Sequence, residues 1–126
     1  AMKKLTILLF SILISFNSYG EWVEVAKDTD GDTFYIETSA IKERNGYVYY
    51  WTLADFVIPV TGFWSSKMYK QGECGINRFK VLSMLAYKQS MGKGDNKEIR
   101  GDDKWHYPEP DNVKSTLLNY ACNYVK

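Results

Sequence analysis

Three aspartates fall within one five-residue run, Asp28-Thr29-Asp30-Gly31-Asp32. Clustered oxygen donors of this kind are what a hard cation such as calcium requires, and a bound ion would serve a small metal-dependent hydrolase. The spacing does not complete such a loop. Counted from Asp28, the glycine falls at the fourth position where an EF-hand has it at the sixth, and the twelfth position is Ser39 where a bidentate Glu is needed. A tight turn with solvated acids accounts for the same residues. No metal ligand is assigned.

Nucleophilic catalysis fares no better. His106 is the sole histidine, and its neighbours Trp105, Tyr107 and Pro108 suggest a loop position more than a general base beside a Ser or Cys nucleophile. The stretch from Asp30 to Thr33 is similar to the Asp-Gly-Asp-Thr of thermonuclease-type enzymes, but no arginine follows until Arg44 and the similarity ends there. Gly92-Lys93-Gly94 matches no phosphate loop. The sequence therefore predicts no catalytic residues and no cofactor.

Cys74 and Cys122 are the two cysteines. They form no Cys-x-x-Cys redox motif and lack the histidines that would complete a zinc site. In an oxidising compartment an even pair is expected to be bridged, and a bridge over this separation stabilises a fold by about 4 kcal/mol on the loop-entropy view.

The elements that would position these residues read as short strands followed by one helix. Strands are predicted at Trp22 to Ala26 and Phe34 to Glu37, with the Asp30-Gly31 turn between them. Ser39 to Glu43 fits one helical turn or a bulged connection. Asn45-Gly46 then opens the longest alternation, Tyr47 to Phe56. Tyr47, Tyr49, Trp51 and Leu53 lie on one of its faces and Val48, Tyr50, Ala54 and Phe56 on the other, which predicts a central strand covered to some degree on both sides. Pro59 and Gly62 mark a loop before a strand from Phe63 to Lys70, and Ile76 to Lys88 is a further strand. Gly92 to Lys104 reads as a mobile polar loop, and Trp105 to Tyr107 as a short edge strand. From the cap at Asp111 or Asn112 onward, Val113, Leu117, Tyr120, Ala121 and Tyr124 recur at helical spacing. The fold class is α+β: an antiparallel sheet with a C-terminal helix packed on one face and tied to it by the disulfide.

The opening residues point to export. Lys3 and Lys4 precede an apolar run from Leu5 to Phe16, and the small residues Ser18 and Gly20 place signal-peptidase cleavage before Glu21. The apolar run is shorter than the roughly 20 residues of a membrane span. With no cysteine at the cleavage site, the mature chain is expected to carry no lipid and no stable membrane anchor. Residues 2–20 are thus read as a signal peptide and residues 21–126 as one domain, soluble in the periplasm, on the cell surface or in the medium. The mature part holds 14 basic against 15 acidic side chains, a balance that gives no reason to expect nucleic acid as a partner. It keeps 17 of the aromatic residues, more than a small core readily hides, and partly exposed rings favour protein contacts.

An ordered set of short motifs resembles the surface-adhesin protein E family of small exported bacterial proteins. It begins at Trp22, Asp32-Thr33-Phe34-Tyr35-Ile36-Glu37, Ile41 and Asn45-Gly46. It continues through Trp51-Thr52-Leu53-Ala54-Asp55-Phe56, Ser66-Lys67, Cys74, Arg78, Tyr87 and Met91-Gly92-Lys93-Gly94, and closes with Trp105, Pro108, Pro110 and Cys122. The resemblance implies an antiparallel sheet with a disulfide-held C-terminal helix. It also implies adhesion, meaning non-enzymatic binding of host extracellular-matrix or serum proteins such as vitronectin or laminin.

The expected function is therefore that of a non-catalytic binding protein of the cell envelope. The candidate contact residues are Tyr49, Trp51, Trp64, Lys67, Tyr69 and Lys80, some of which would equally serve a core or a homodimer interface. A soluble periplasmic partner of an envelope complex is the alternative. A small hydrolase using Asp28, Asp30 and Asp32 is the third reading.

Overall fold

The computed structural model describes residues 21–126; the segment read as a signal peptide lies outside the described residues. The strands are β1 (Trp22–Lys27), β2 (Thr33–Glu37), β3 (Lys42–Arg44), β4 (Tyr47–Val60), β5 (Phe63–Glu73), β6 (Arg78–Tyr87) and β7 (Asn96–Arg100), followed by helix α1 (Val113–Tyr124). All pairings are antiparallel, in the order β1-β2-β4-β5-β6-β7, and β3 pairs with the start of β4 beyond the end of β2.

The alternation in β4 sorts the sheet into two chemically distinct faces. Val48, Tyr50 and Thr52 are buried under α1, while Tyr47, Tyr49 and Trp51 on the other face are half-buried. Asn112 caps the helix by accepting the Lys114 backbone N–H at 2.8 Å. Leu117, Leu118 and Ala121 then pack against Ile36, Ile41, Val48 and Tyr50. Of the residues predicted at helical spacing, Leu117 and Ala121 enter this core. Tyr124 does not; it remains exposed and stacks on Tyr120, ring centres 6.5 Å apart. The close approach of α1 needs Gly72 on β5, since a Cβ there would lie 2.5 Å from the Leu118 Cδ1. Cys74, just past β5, is bonded to Cys122 on α1. The fold class and the bridge are those the sequence predicted.

The elements differ from the predicted ones in four main places. β4 runs through Pro59, where the sequence placed a loop. Its pairing with β2 ends at Asp55, so the proline lies where β4 has become an edge, a place that tolerates a missing donor. The turn follows at Thr61 and Gly62, both at positive φ. The predicted mobile loop from Gly92 contains β7, which pairs along Ser83–Tyr87. Its charged sequence, Asn96-Lys97-Glu98-Ile99-Arg100, is that of a protected edge strand with only Ile99 half-buried. Trp105 to Tyr107 makes a single bridge, His106 to Phe79, and no strand. The Ser39–Glu43 connection resolves into a 3₁₀ turn, Thr38–Ala40, and then β3.

Candidate functional site

The face of the sheet turned away from α1 carries most of the predicted contact residues. Cross-strand register sets Trp51 opposite Tyr69, Tyr49 opposite Gln71 and Leu53 opposite Lys67. Tyr69 lies 5.0 Å from Trp51 and 6.2 Å from Tyr49, ring centre to ring centre, so the three rings form one continuous row. Tyr47 extends that face toward Trp105, on which it stacks at 6.1 Å. Cations lie against the same rings. The Arg44 guanidinium is 4.7 Å from the Tyr49 ring centre, while Arg78 and Lys80 approach Trp105 to 4.0 and 4.7 Å. Arg78 also bonds Glu73 at 2.7 Å, and Lys80 reaches Asp103 at 3.5 Å. These rings shield one another, which is why Tyr49, Trp51 and Tyr69 are only half-exposed although no helix among the described residues covers them.

Lys67 occupies a more closely built position at the other end of the face. Its Nζ lies 5.4 Å from the Trp22 ring centre and 5.2 Å from that of Tyr87. Beside it, Met91 and Gly92 both adopt positive φ. The Met91 N–H donates to Asp55 Oδ1 at 2.9 Å, and the Gly92 N–H donates to Ser65 Oγ at 2.8 Å. Ser65 in turn donates to the Gln89 carbonyl at 2.6 Å. Trp22, Tyr87 and Gly92 are widely spaced in the sequence, and the fold gathers them around one ammonium group, with Asp55 and Ser65 holding the Met91-Gly92 backbone beside it.

Trp64 stands apart from the other candidates. It lies on the β4–β5 hairpin, which projects beyond Asp55 and Ser65, the last residues paired to β2 and β6. The projecting ribbon from Phe56 to Trp64 contains no charged residue, and Ile58 is 75% exposed. Val57, Val60 and Trp64 are also exposed, and the Lys88 Nζ lies 4.4 Å from the Phe63 ring centre.

The aspartate cluster forms the turn that its residue types favour. Asp28, Asp30 and Asp32 have carboxylate oxygens within 4.8 Å of one another. Asp28 Oδ1 accepts the N–H groups of Asp30 and Asp32, each at 3.0 Å, and Asp32 Oδ1 accepts the Val57 N–H at 2.9 Å. Two of the three carboxylates thus hold backbone. His106 Nε2 lies 2.8 Å from Asp102 on the surface. The Asp102 carboxyl is held below its ordinary range, first by the Lys104 backbone N–H and then by His106. No hydroxyl or thiol is hydrogen-bonded to His106 among the described residues.

Five of the six predicted contact residues, Tyr49, Trp51, Lys67, Tyr69 and Lys80, therefore share one face, and Trp64 does not. Tyr47, Arg44, Arg78 and Trp105 belong to that face as well. The period-two pattern already put Tyr47 beside Tyr49. Trp105 reaches the face from a segment without periodicity, so no local signal could have placed it.

A profile of the family described as surface-adhesin protein E matches residues 22–123. Among curated proteins no sequence matches the chain. Solved structures of Haemophilus influenzae protein E share the fold. One crystal form is 17% identical over 83% of this chain and 90% of that one, with a TM-score of 0.66. Another structure is 16% identical over 82% and 85%, with a TM-score of 0.63. Protein E from non-typeable Haemophilus influenzae is 16% identical over 82% and 77%, with a TM-score of 0.60.

Proposed function

The chain belongs to the surface-adhesin protein E family, and from that premise we propose that it is an exported, non-catalytic protein-binding module of the bacterial envelope. The observation that carries this reading is the aromatic row Trp51–Tyr69–Tyr49, with the Arg44 guanidinium against Tyr49 and with Arg78 and Lys80 against Trp105 on the same face. Large rigid side chains contribute contact area at little entropic cost, and Trp, Tyr and Arg dominate the energetic centres of protein interfaces. Half-buried rings of this kind are already ordered before a partner arrives, which lowers the cost of association.

The partner class is a host extracellular-matrix or serum protein. The signal peptide read in residues 2–20 would deliver residues 21–126 as one domain to an oxidising compartment, where the Cys74–Cys122 bridge is stable. Within the family match, the turn-forming roles of Asp28 and Asp32 favour binding over metal-dependent hydrolysis.

The test pairs location with binding. Cell fractionation is expected to find the native protein on the surface or in the medium, and immobilised vitronectin or laminin to capture it. Replacing Tyr69 with Ala is expected to weaken capture at least tenfold while thermal unfolding stays cooperative. Confinement to the periplasm would remove the host partner and leave an envelope complex as the binding context.

A further inference from the structure

Lys70 on β5 faces α1, opposite Tyr50, and is 3% exposed. It is the only buried charged side chain among the described residues. No carboxylate of the described residues lies within ion-pair distance of it, and the neighbouring charge is another cation, Lys114 on α1. The Phe79 ring, 4.9 Å away, offers partial compensation. Methionine would fill the same space without a desolvated charge, so packing alone gives no reason for lysine here.

The same side chain lines a cavity of about 70 Å³ between α1 and the sheet. The chemistry of its wall is one-sided. Lys70 and Lys114 bring positive charge, Thr52 and Ser66 bring buried hydroxyls, and Phe34 and Leu117 close it with apolar surface. Two cations and two hydroxyl donors with no acid favour an anion. The volume corresponds to roughly two waters at ~30 Å³ each, which suits a planar carboxylate and excludes a sugar or nucleotide. A wider groove of about 500 Å³ shares Phe34 and Lys114 with this cavity and so borders it. Its charges are balanced, Lys27 and Lys114 against Asp28 and Asp111, whereas the cavity is lined by cations without acids.

We propose that this cavity binds the carboxylate of a small organic acid, held by the Lys70 ammonium, with Lys114 adding positive charge and Thr52 and Ser66 donating to its oxygens. Burial, and then the Lys114 charge, lower the pKa of Lys70 to about 7. A bound carboxylate opposes both effects, so anion uptake is coupled to protonation of Lys70 and strengthens as pH falls through neutrality. A short free acid and the head of a fatty acid present the same group.

Thermal unfolding of the purified disulfide-bonded protein tests the site, with sodium acetate or sodium octanoate compared with sodium chloride at equal ionic strength. The expected result is a saturable rise in Tm with a carboxylate beyond that with chloride, larger at pH 6 than at pH 9. An acetate response identifies a short free acid, and a response to octanoate at far lower concentration identifies a fatty acid. Lys70→Met is expected to abolish the rise while unfolding cooperatively without ligand. Lys114→Gln, a surface change, is expected to weaken it. Equal shifts with carboxylates and chloride, or a rise that survives Lys70→Met, would overturn the proposal.

Discussion

Gly92 stands directly against Lys67: a Cβ at position 92 would lie 2.6 Å from the Lys67 Cε and 3.6 Å from the Leu53 Cδ1. The glycine also holds φ +69, which other residues adopt at a cost of about 1–2 kcal/mol. Gly92→Ala is therefore expected to destabilise the protein by roughly this amount and to push Lys67 out from between Trp22 and Tyr87. Melting measures the first effect. Proton shifts of the Lys67 side chain, which lies against both rings, measure the second. Unchanged shifts would show that Lys67 does not depend on this backbone.

Removing the bridge should act first on α1. Cys122→Ser is expected to cost about 2–5 kcal/mol, with amide exchange rising in Val113–Tyr124 before the central strands. A helix this short has little stability of its own and relies on the core around Leu117 and Leu118. Equal protection of α1 in both proteins would mean that packing alone holds it.

The pH dependence of stability has a definite sign. The folded pKa of Lys70 is about 7, against an ordinary value of 10.5, so between these the unfolded chain binds the extra proton and stability rises with pH. Burial moves the Tyr50 hydroxyl the other way, above its ordinary 10.0, so stability falls at more alkaline pH as the unfolded tyrosine ionises. The two slopes cancel a little above pH 10, and the maximum is expected at about that pH. Lys70→Met should flatten the rising limb and raise stability at pH 6 by about 1–4 kcal/mol. Denaturant titrations across pH 6–11 check both.

The aspartate turn should respond to mutation but not to calcium. Asp28→Ala removes the acceptor of two backbone N–H groups and is expected to cost about 1 kcal/mol. Calcium should leave the Tm of the parent protein unchanged. A calcium-specific rise lost in Asp30→Ala would reassign the cluster to metal binding.

The sequence made some of this architecture legible and hid the rest for physical reasons. Alternation along Tyr47–Phe56 identified β4 and its two faces, because a strand covered on one side and ringed with aromatics on the other must alternate. Helical spacing found α1 through Leu117 and Ala121. β7 was hidden because an edge strand is protected by charge, and Lys97, Glu98 and Arg100 look like a solvated loop. The contact face was half-readable. Residues on long strands inherit their side from parity, whereas Trp105 joins through a tertiary contact with Tyr47. Trp64 stands apart because its parity on β5 is opposite to that of Lys67 and Tyr69 and because it lies where the β4–β5 hairpin leaves the sheet. Lys70 carried no signal, since nothing local distinguishes a strand lysine beneath a helix from one in water.

The Cys74–Cys122 bond has a topological consequence as well. It closes a covalent ring, with a sequence separation of 48, that contains β6, β7 and most of α1. A protease that cuts once inside that ring, for example in the exposed stretch 102–104, opens it without releasing a fragment. The nicked molecule remains one covalent body with β1 to β5 attached to α1. In a protease-rich environment, a single scission would then show on a reducing gel and not on a non-reducing one. Only reduction, or a second cut, would separate the pieces.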